Sequence, residues 1–172
     1  MLSFEKEYKR AVNFSDFVSS IPINKIFFKS NYDDFVPDKK TIDFFKSIDG
    51  LKIMVIGECW CKDTINELPI LAKLTDLCGI GLRILTRDDN LDLVDGYFLT
   101  DGKRRMPVVI FLDSNYAEVA RWIERPRKID DILHSGAESI RSMGTDTYKQ
   151  LIKFETMREI ILILRYKMKT QK

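Results

Sequence analysis

One stretch constrains this chain more than any other: the apolar run Leu51–Gly57, then Cys59-Trp60-Cys61-Lys62-Asp63-Thr64, then helical spacing. Nearly continuous apolar character over LKIMVIG is what a central strand covered on both faces requires. Beyond it Ile65, Leu68, Leu71, Ala72 and Leu74 recur at helical intervals, and Gly79 supplies a stop signal. Two cysteines therefore fall at the junction between a buried strand and a helix. A thiol at a helix N-terminus meets unpaired backbone N–H groups and the positive end of the helix dipole, which favour the thiolate.

The rest of the chain places this unit in an α/β protein. Residues 3–19 read as a helix with an apolar stripe of Phe4, Tyr8, Ala11 and Val12, and residues 37–48 as another, stopped by Gly50. The segment Ile21–Phe28, interrupted by Pro22, fits neither period. Leu82–Thr86 predicts a short strand, Asn90–Leu99 a short helix or turn, and Pro107–Asp113 a second strongly apolar strand. Asp113-Ser114-Asn115 turns that strand back into Glu118–Ile123 as an antiparallel hairpin. Helices follow over 127–134 and 145–169. The order β-α-β-(α)-β-β-α predicts a three-layer α/β/α sandwich with a mixed central sheet and extra helices at each end.

Composition removes several function classes. With 28 basic and 26 acidic residues the formal charge is +2, which gives no reason to invoke nucleic acid or a membrane surface. Met1–Ser20 carries Glu5, Lys6, Glu7, Lys9, Arg10 and Asp16, unlike a secretory signal, and Ile160–Leu164 is far too short to span a bilayer. Three cysteines without such a signal argue against a disulfide-stapled secreted scaffold and for a cytoplasmic protein.

From about Lys52 to Ile132 the chain resembles the thioredoxin superfamily, in which an apolar strand ends in Trp-Cys-x-x-Cys and the first cysteine opens a long helix. Trp60 and Cys61 match, and Thr64 stands where the second cysteine is expected. Pro69 lies eight residues after Cys61, the spacing of the family's helix-kinking proline, and Met106-Pro107 matches the cis-proline that opens the closing hairpin. The segments Glu58-x-Trp60-Cys61-x-Asp63, Arg87-Asp88-Asp89-Asn90, Leu99-Thr100-Asp101-Gly102 and Arg121-Trp122-x-Glu124-Arg125-Pro126 look like bacterial and archaeal thioredoxin-like proteins lacking the second cysteine. The resemblance implies one thioredoxin-like domain over 1–172: a helical extension (1–48), the core (49–133) and a C-terminal helical extension (134–172).

It also implies thiol–disulfide exchange, with Cys61 as nucleophile, Trp60, Met106 and Pro107 as substrate platform, and a protein disulfide or low-molecular-weight thiol as partner. In a two-cysteine thioredoxin the second thiol resolves the mixed disulfide. Thr64 cannot, which leaves resolution by an external thiol, resolution by Cys59, or no turnover. Cys59 and Cys61 are about 6.6 Å apart in rise along an extended strand, so a disulfide between them needs a bend at Trp60. Cys59 is then a resolving or sensing thiol, or a residue that packs at the strand end. The Thr64 hydroxyl, one turn from Cys61, is either a hydrogen-bond partner for the thiolate or an inert helix-surface group. Lys62 and the cluster Lys103-Arg104-Arg105 favour the thiolate; Asp63 and Glu58 oppose it.

The family's buried acid, six residues before the first cysteine, is replaced by Val55. Two further readings come from other classes: a non-redox module that binds a protein or peptide in the same groove, and a redox sensor built on Cys59 and Cys61. Cys78 reads as a structural thiol, and His134, the single histidine, gives no Cys–His pair. No metal and no cofactor is expected: Cys-x-Cys alone is a poor zinc site, and Asp88-Asp89-Asn90 with Asp92 and Asp95 fits a capped turn better than a calcium loop. Apolar residues wrap most of the C-terminal helix around Ile160–Leu164, which predicts packing within the chain first and a homodimer contact second.

Overall fold

A computed structural model describes residues 3–136 and 143–170. Strands β1 (Lys52–Gly57), β2 (Gly81–Thr86), β3 (Val108–Leu112) and β4 (Glu118–Ile123) form a mixed sheet in the order β2-β1-β3-β4. β1 pairs with β2 in parallel, from Lys52 opposite Gly81 to Gly57 opposite Thr86, and with β3 antiparallel, Val55 opposite Val109. β3 and β4 make the expected hairpin, with a register shift between Phe111 and Leu112. A parallel pair needs a crossover, and helix α5 (Lys62–Cys78) provides it between β1 and β2.

Alternation divides the central strands between two buried faces. Met54, Ile56, Val108, Ile110 and Leu112 share one core with Phe4, Tyr8, Leu85, Val94 and Phe98. Ile53, Val55, Val109 and Phe111 point the other way and are equally inaccessible. The sheet is therefore covered on both sides, which is why its central strands read as continuous apolar runs.

The predicted single helix over 3–19 is two helices, α1 (Glu5–Arg10) and α2 (Phe14–Ser20), separated by an extended turn. Val12 leaves the helix to pair with Ile84 in both directions: its N–H donates to Ile84 O at 3.0 Å, and Ile84 N–H donates to Val12 O at 2.8 Å. This one-residue pairing occupies the outer edge of β2, where free N–H and C=O groups would otherwise be exposed. Asn13 then restarts the helix, its side chain accepting from Asp16 N–H at 2.9 Å. The segment that fitted neither period contains the start of α3 (Lys25–Asp33), after Asn24 in a left-handed conformation with φ 63°. Helix α4 (Lys39–Lys46) is capped by Asp38, and Gly50, at φ +67°, closes against Ser114 too tightly for a side chain, a Cβ there coming within 2.9 Å of Ser114 Cβ. Asp88–Asn90 form a 3-10 turn leading into α6 (Leu91–Tyr97).

Compact units are distinguished over Met1–Glu124 and Arg125–Lys172. In the second, α7 (Arg127–His134) and α8 (Thr145–Thr170) pack together. Glu155 of α8, buried, takes hydrogen bonds from Lys128 at 3.1 Å and from Arg158 at 2.5 Å. Burial pushes its carboxyl up, but those two cations win and hold it below the usual glutamate range. Among the described residues no helix is long and apolar enough to cross a membrane.

The proline inside α5 has a specific compensation. Pro69 lacks the N–H that Ile65 O would accept one turn earlier, and Asn31 of α3 fills the gap with its side-chain amide at 2.8 Å. Asn31→Ala should cost about 1 kcal/mol in urea unfolding, the usual net worth of a hydrogen bond, at this part-buried acceptor. In a Pro69→Ala background, where residue 69 regains its N–H, the same change should cost less than half as much. An equal loss in both backgrounds would show that Asn31 acts otherwise.

Candidate active site at the start of helix α5

Cys61 is the residue before the first turn of α5, with extended backbone (φ −80°, ψ 121°) and no side chain capping the helix. Its N–H bonds back to Glu58 O at 3.2 Å and its carbonyl takes Ile65 N–H at 3.0 Å, so the turn 58–61 delivers the thiol directly onto the helix start. The side chain is half-buried, and Sγ donates a weak bond to Met106 O at 3.8 Å. The Met106–Pro107 peptide bond is cis. Cys61, Met106 and Pro107, separated by some forty-five positions in the chain, thus meet at one end of the sheet.

Thr64 occupies a different environment from either one expected of it. It is fully buried rather than on the helix surface, and its Oγ1 has no hydrogen-bond partner, so the bond to the Cys61 sulfur is not made. Its side chain lies against Gly57: a Cβ at that glycine would come within 2.8 Å of Thr64 Cγ2 and 2.9 Å of Oγ1. Glycine at the end of β1 is what allows the first turn of α5 to approach so closely.

Cys59 is buried, and all three cysteines are free thiols. Asn24 donates its side-chain amide to Cys59 O at 2.8 Å. Burial, reinforced by the nearby Glu58 charge, pushes the Cys59 thiol above the usual range. Burial also raises Cys78, whose sulfur donates to Ile42 O at 3.8 Å. Between Cys59 and Cys61 stands Trp60, 47% exposed, with the Arg87 guanidinium 4.8 Å from its ring centre. Arg87 is itself held by Asp88 Oδ1, at 2.9 and 2.6 Å.

Two expectations about local charge change. Arg104 is held by both oxygens of Asp95 at 2.6 Å, and Arg105 by Glu124 at 2.5 Å, so these members of the 103–105 cluster carry their own counter-ions. Glu58, expected only to oppose the thiolate, is a buried acid in its own right. Burial raises its carboxyl above the usual range, and its Oε1 takes Asp88 N–H at 2.8 Å. Val55, at the family's acid position, is completely inaccessible. The residues missed from the sequence are Asn24 and Asn31. The signal for Asn31 was present, because Pro69 dictates an orphan carbonyl at Ile65.

With this geometry in hand, comparison with known proteins is informative. The family model for thioredoxin matches residues 11–144. The chain belongs to the thioredoxin family. Among solved structures, a protein of unknown function from Pseudomonas aeruginosa superposes with a TM-score of 0.68 at 19% identity, covering 96% of this chain and 98% of that one. An HIV epitope-scaffold of the 4E10 type superposes with a TM-score of 0.70 at 18% identity, covering 95% and 98%. At such identities the likeness establishes the thioredoxin-like fold and nothing of the activity. No curated protein matches the chain.

Within the thioredoxin fold the three thiols are unequal. Iodoacetamide at neutral pH should modify Cys61 before Cys59, with the buried Cys59 at least tenfold slower, as peptide mass mapping over time would read out. Equal rates, or Cys59 reacting first, would contradict the burial order described.

Proposed function

We propose that this thioredoxin-family protein is a thiol–disulfide oxidoreductase of monothiol type. The observation that carries the reading is the placement of Cys61: a half-buried thiol at the start of a 17-residue helix, its sulfur facing the carbonyl of Met106 beside cis-Pro107. Thr64 fills the position from which a second thiol would act.

In the first step the Cys61 thiolate attacks one sulfur of a disulfide, forming a mixed disulfide and expelling the other sulfur as a thiolate, which takes a proton from water. In the second an external thiolate attacks the substrate sulfur of that adduct, and Cys61 leaves as thiolate. The disulfide released then joins the external thiol to the substrate. A second external thiolate attacks it at the external thiol's own sulfur, which frees the remaining substrate thiol and leaves the external thiol as its disulfide. Two external thiols thus supply the two electrons. Trp60 and the backbone at Met106–Pro107 would carry the substrate. Burial of Cys59, which pushes its thiol up, favours this reading over a Cys59–Cys61 sensor. Three free thiols suit such chemistry in a reducing cytoplasm.

Reduction of 2-hydroxyethyl disulfide by glutathione, followed through glutathione reductase and NADPH, tests the proposal. The protein should accelerate the reaction, Cys61→Ser should fall to the uncatalysed background, and Cys59→Ser should stay within about twofold of the parent. No acceleration by the parent protein would sink the enzyme reading and leave the groove as a binding site.

A further inference from the structure

Helix α3 uses one face to grip the site and leaves another uncovered. Phe28 is fully buried and Asn31 reaches Ile65 O, so this side is committed to the fold. Elsewhere at the head of α3 large apolar groups are exposed: Ile26 (73%) and Phe27 (57%) in its first turn, and Ile23 (48%) in the bend just before Asn24. Scattered exposed apolar residues need no explanation, but these three fall within five consecutive positions at the head of α3. Asn24 donates its side-chain amide to Cys59 O, which brings the head of α3 to the residue before Trp60, itself 47% exposed.

The two charged residues that flank Ile26 and Phe27 within α3 are both lysines. Lys25 and Lys29 flank Ile26 and Phe27, and Lys62 opens α5; among the described residues none of these has a carboxylate partner, Lys25 Nζ donating instead to Ser19 O at 2.6 Å. The carboxylates of α3, Asp33 and Asp34, lie at its far end, and Asp63 beside Lys62 is half-buried. Two copies of this face set against each other would oppose lysine to lysine, which argues against self-association here.

We propose that this face of α3, with Trp60, docks a protein partner through a segment in which apolar side chains are flanked by carboxylates. The apolar residues would cover Ile23, Ile26 and Phe27, the carboxylates would pair with Lys25, Lys29 and Lys62, and the bound segment would lie beside Cys61. The proposal deepens the oxidoreductase reading by naming the partner's chemistry, and its test is independent of the thiol.

The probes are two fluorescein-labelled, cysteine-free dodecapeptides with the same Leu and Phe residues, one bearing Asp and Glu, the other Lys at those positions. Fluorescence anisotropy should show the acidic peptide bound at least tenfold more tightly, with that preference weakening as salt is raised. Ile26→Asp with Phe27→Asp should lose tenfold or more. Lys25→Glu with Lys29→Glu, surface changes that leave the apolar face and the fold intact, should reverse the preference. The proposal is overturned by binding of neither peptide, by equal affinity for both, or by affinities unaffected in both variants. A concentration-dependent dimer of the peptide-free protein, abolished by the Ile26 and Phe27 changes, would assign the face to a second copy and overturn it too. Peptide binding without glutathione turnover would retain the docking face while removing the oxidoreductase reading.

Discussion

The packing of Thr64 against Gly57 is the contact on which the rest of the site depends. A side chain at residue 57 would need space that Thr64 already fills, to within 2.8 Å. With glycine there, the first turn of α5 seats directly on the end of β1, and Cys61 is left at the rim with its sulfur toward Met106. The same contact consumes the residue that in a two-cysteine thioredoxin would carry the second thiol. In the proposed monothiol reading, tight interior packing and the want of an internal resolving thiol would meet at this one residue.

The N-terminal helices are part of this arrangement, not an ornament to it. A proline in α5 strands one carbonyl, and a stranded buried carbonyl is costly. Asn31 meets it from α3, and Asn24, at the head of the same helix, holds Cys59 O. Cys59 is buried there, while Trp60 is turned outward under Arg87. The alternation that follows, with one thiol buried, an indole exposed and one thiol at the rim, comes from backbone held on both sides.

Much of this was legible in the sequence, and what escaped did so for physical reasons. Strands β1 and β3 were plain because both of their faces are covered, and Cys61, Pro69 and Pro107 fell at spacings that fix the thioredoxin arrangement. The split between α1 and α2 was hidden because Ala11 and Val12 satisfy a helical stripe equally well; only the open edge of β2 at Ile84 draws Val12 out of it. Capping at Asn13 was a local sign of that break. Position 64 was legible as the missing cysteine, but not its burial, which depends on Gly57 at the end of the preceding strand. The charge of the 103–105 segment was misleading because Asp95 and Glu124, distant or unremarkable in sequence, answer Arg104 and Arg105.

The central claim is that Cys61 works without an internal partner because Thr64 fills the partner's place. It is tested most directly by the lifetime of a Cys61–glutathione adduct, followed by intact mass in the absence of free thiol, in the parent protein and in Thr64→Cys. The account predicts that the adduct persists in the parent and is lost from Thr64→Cys as Cys61 forms a disulfide with the introduced thiol. Spontaneous loss from the parent with formation of a Cys59–Cys61 disulfide, or persistence in Thr64→Cys, would contradict it.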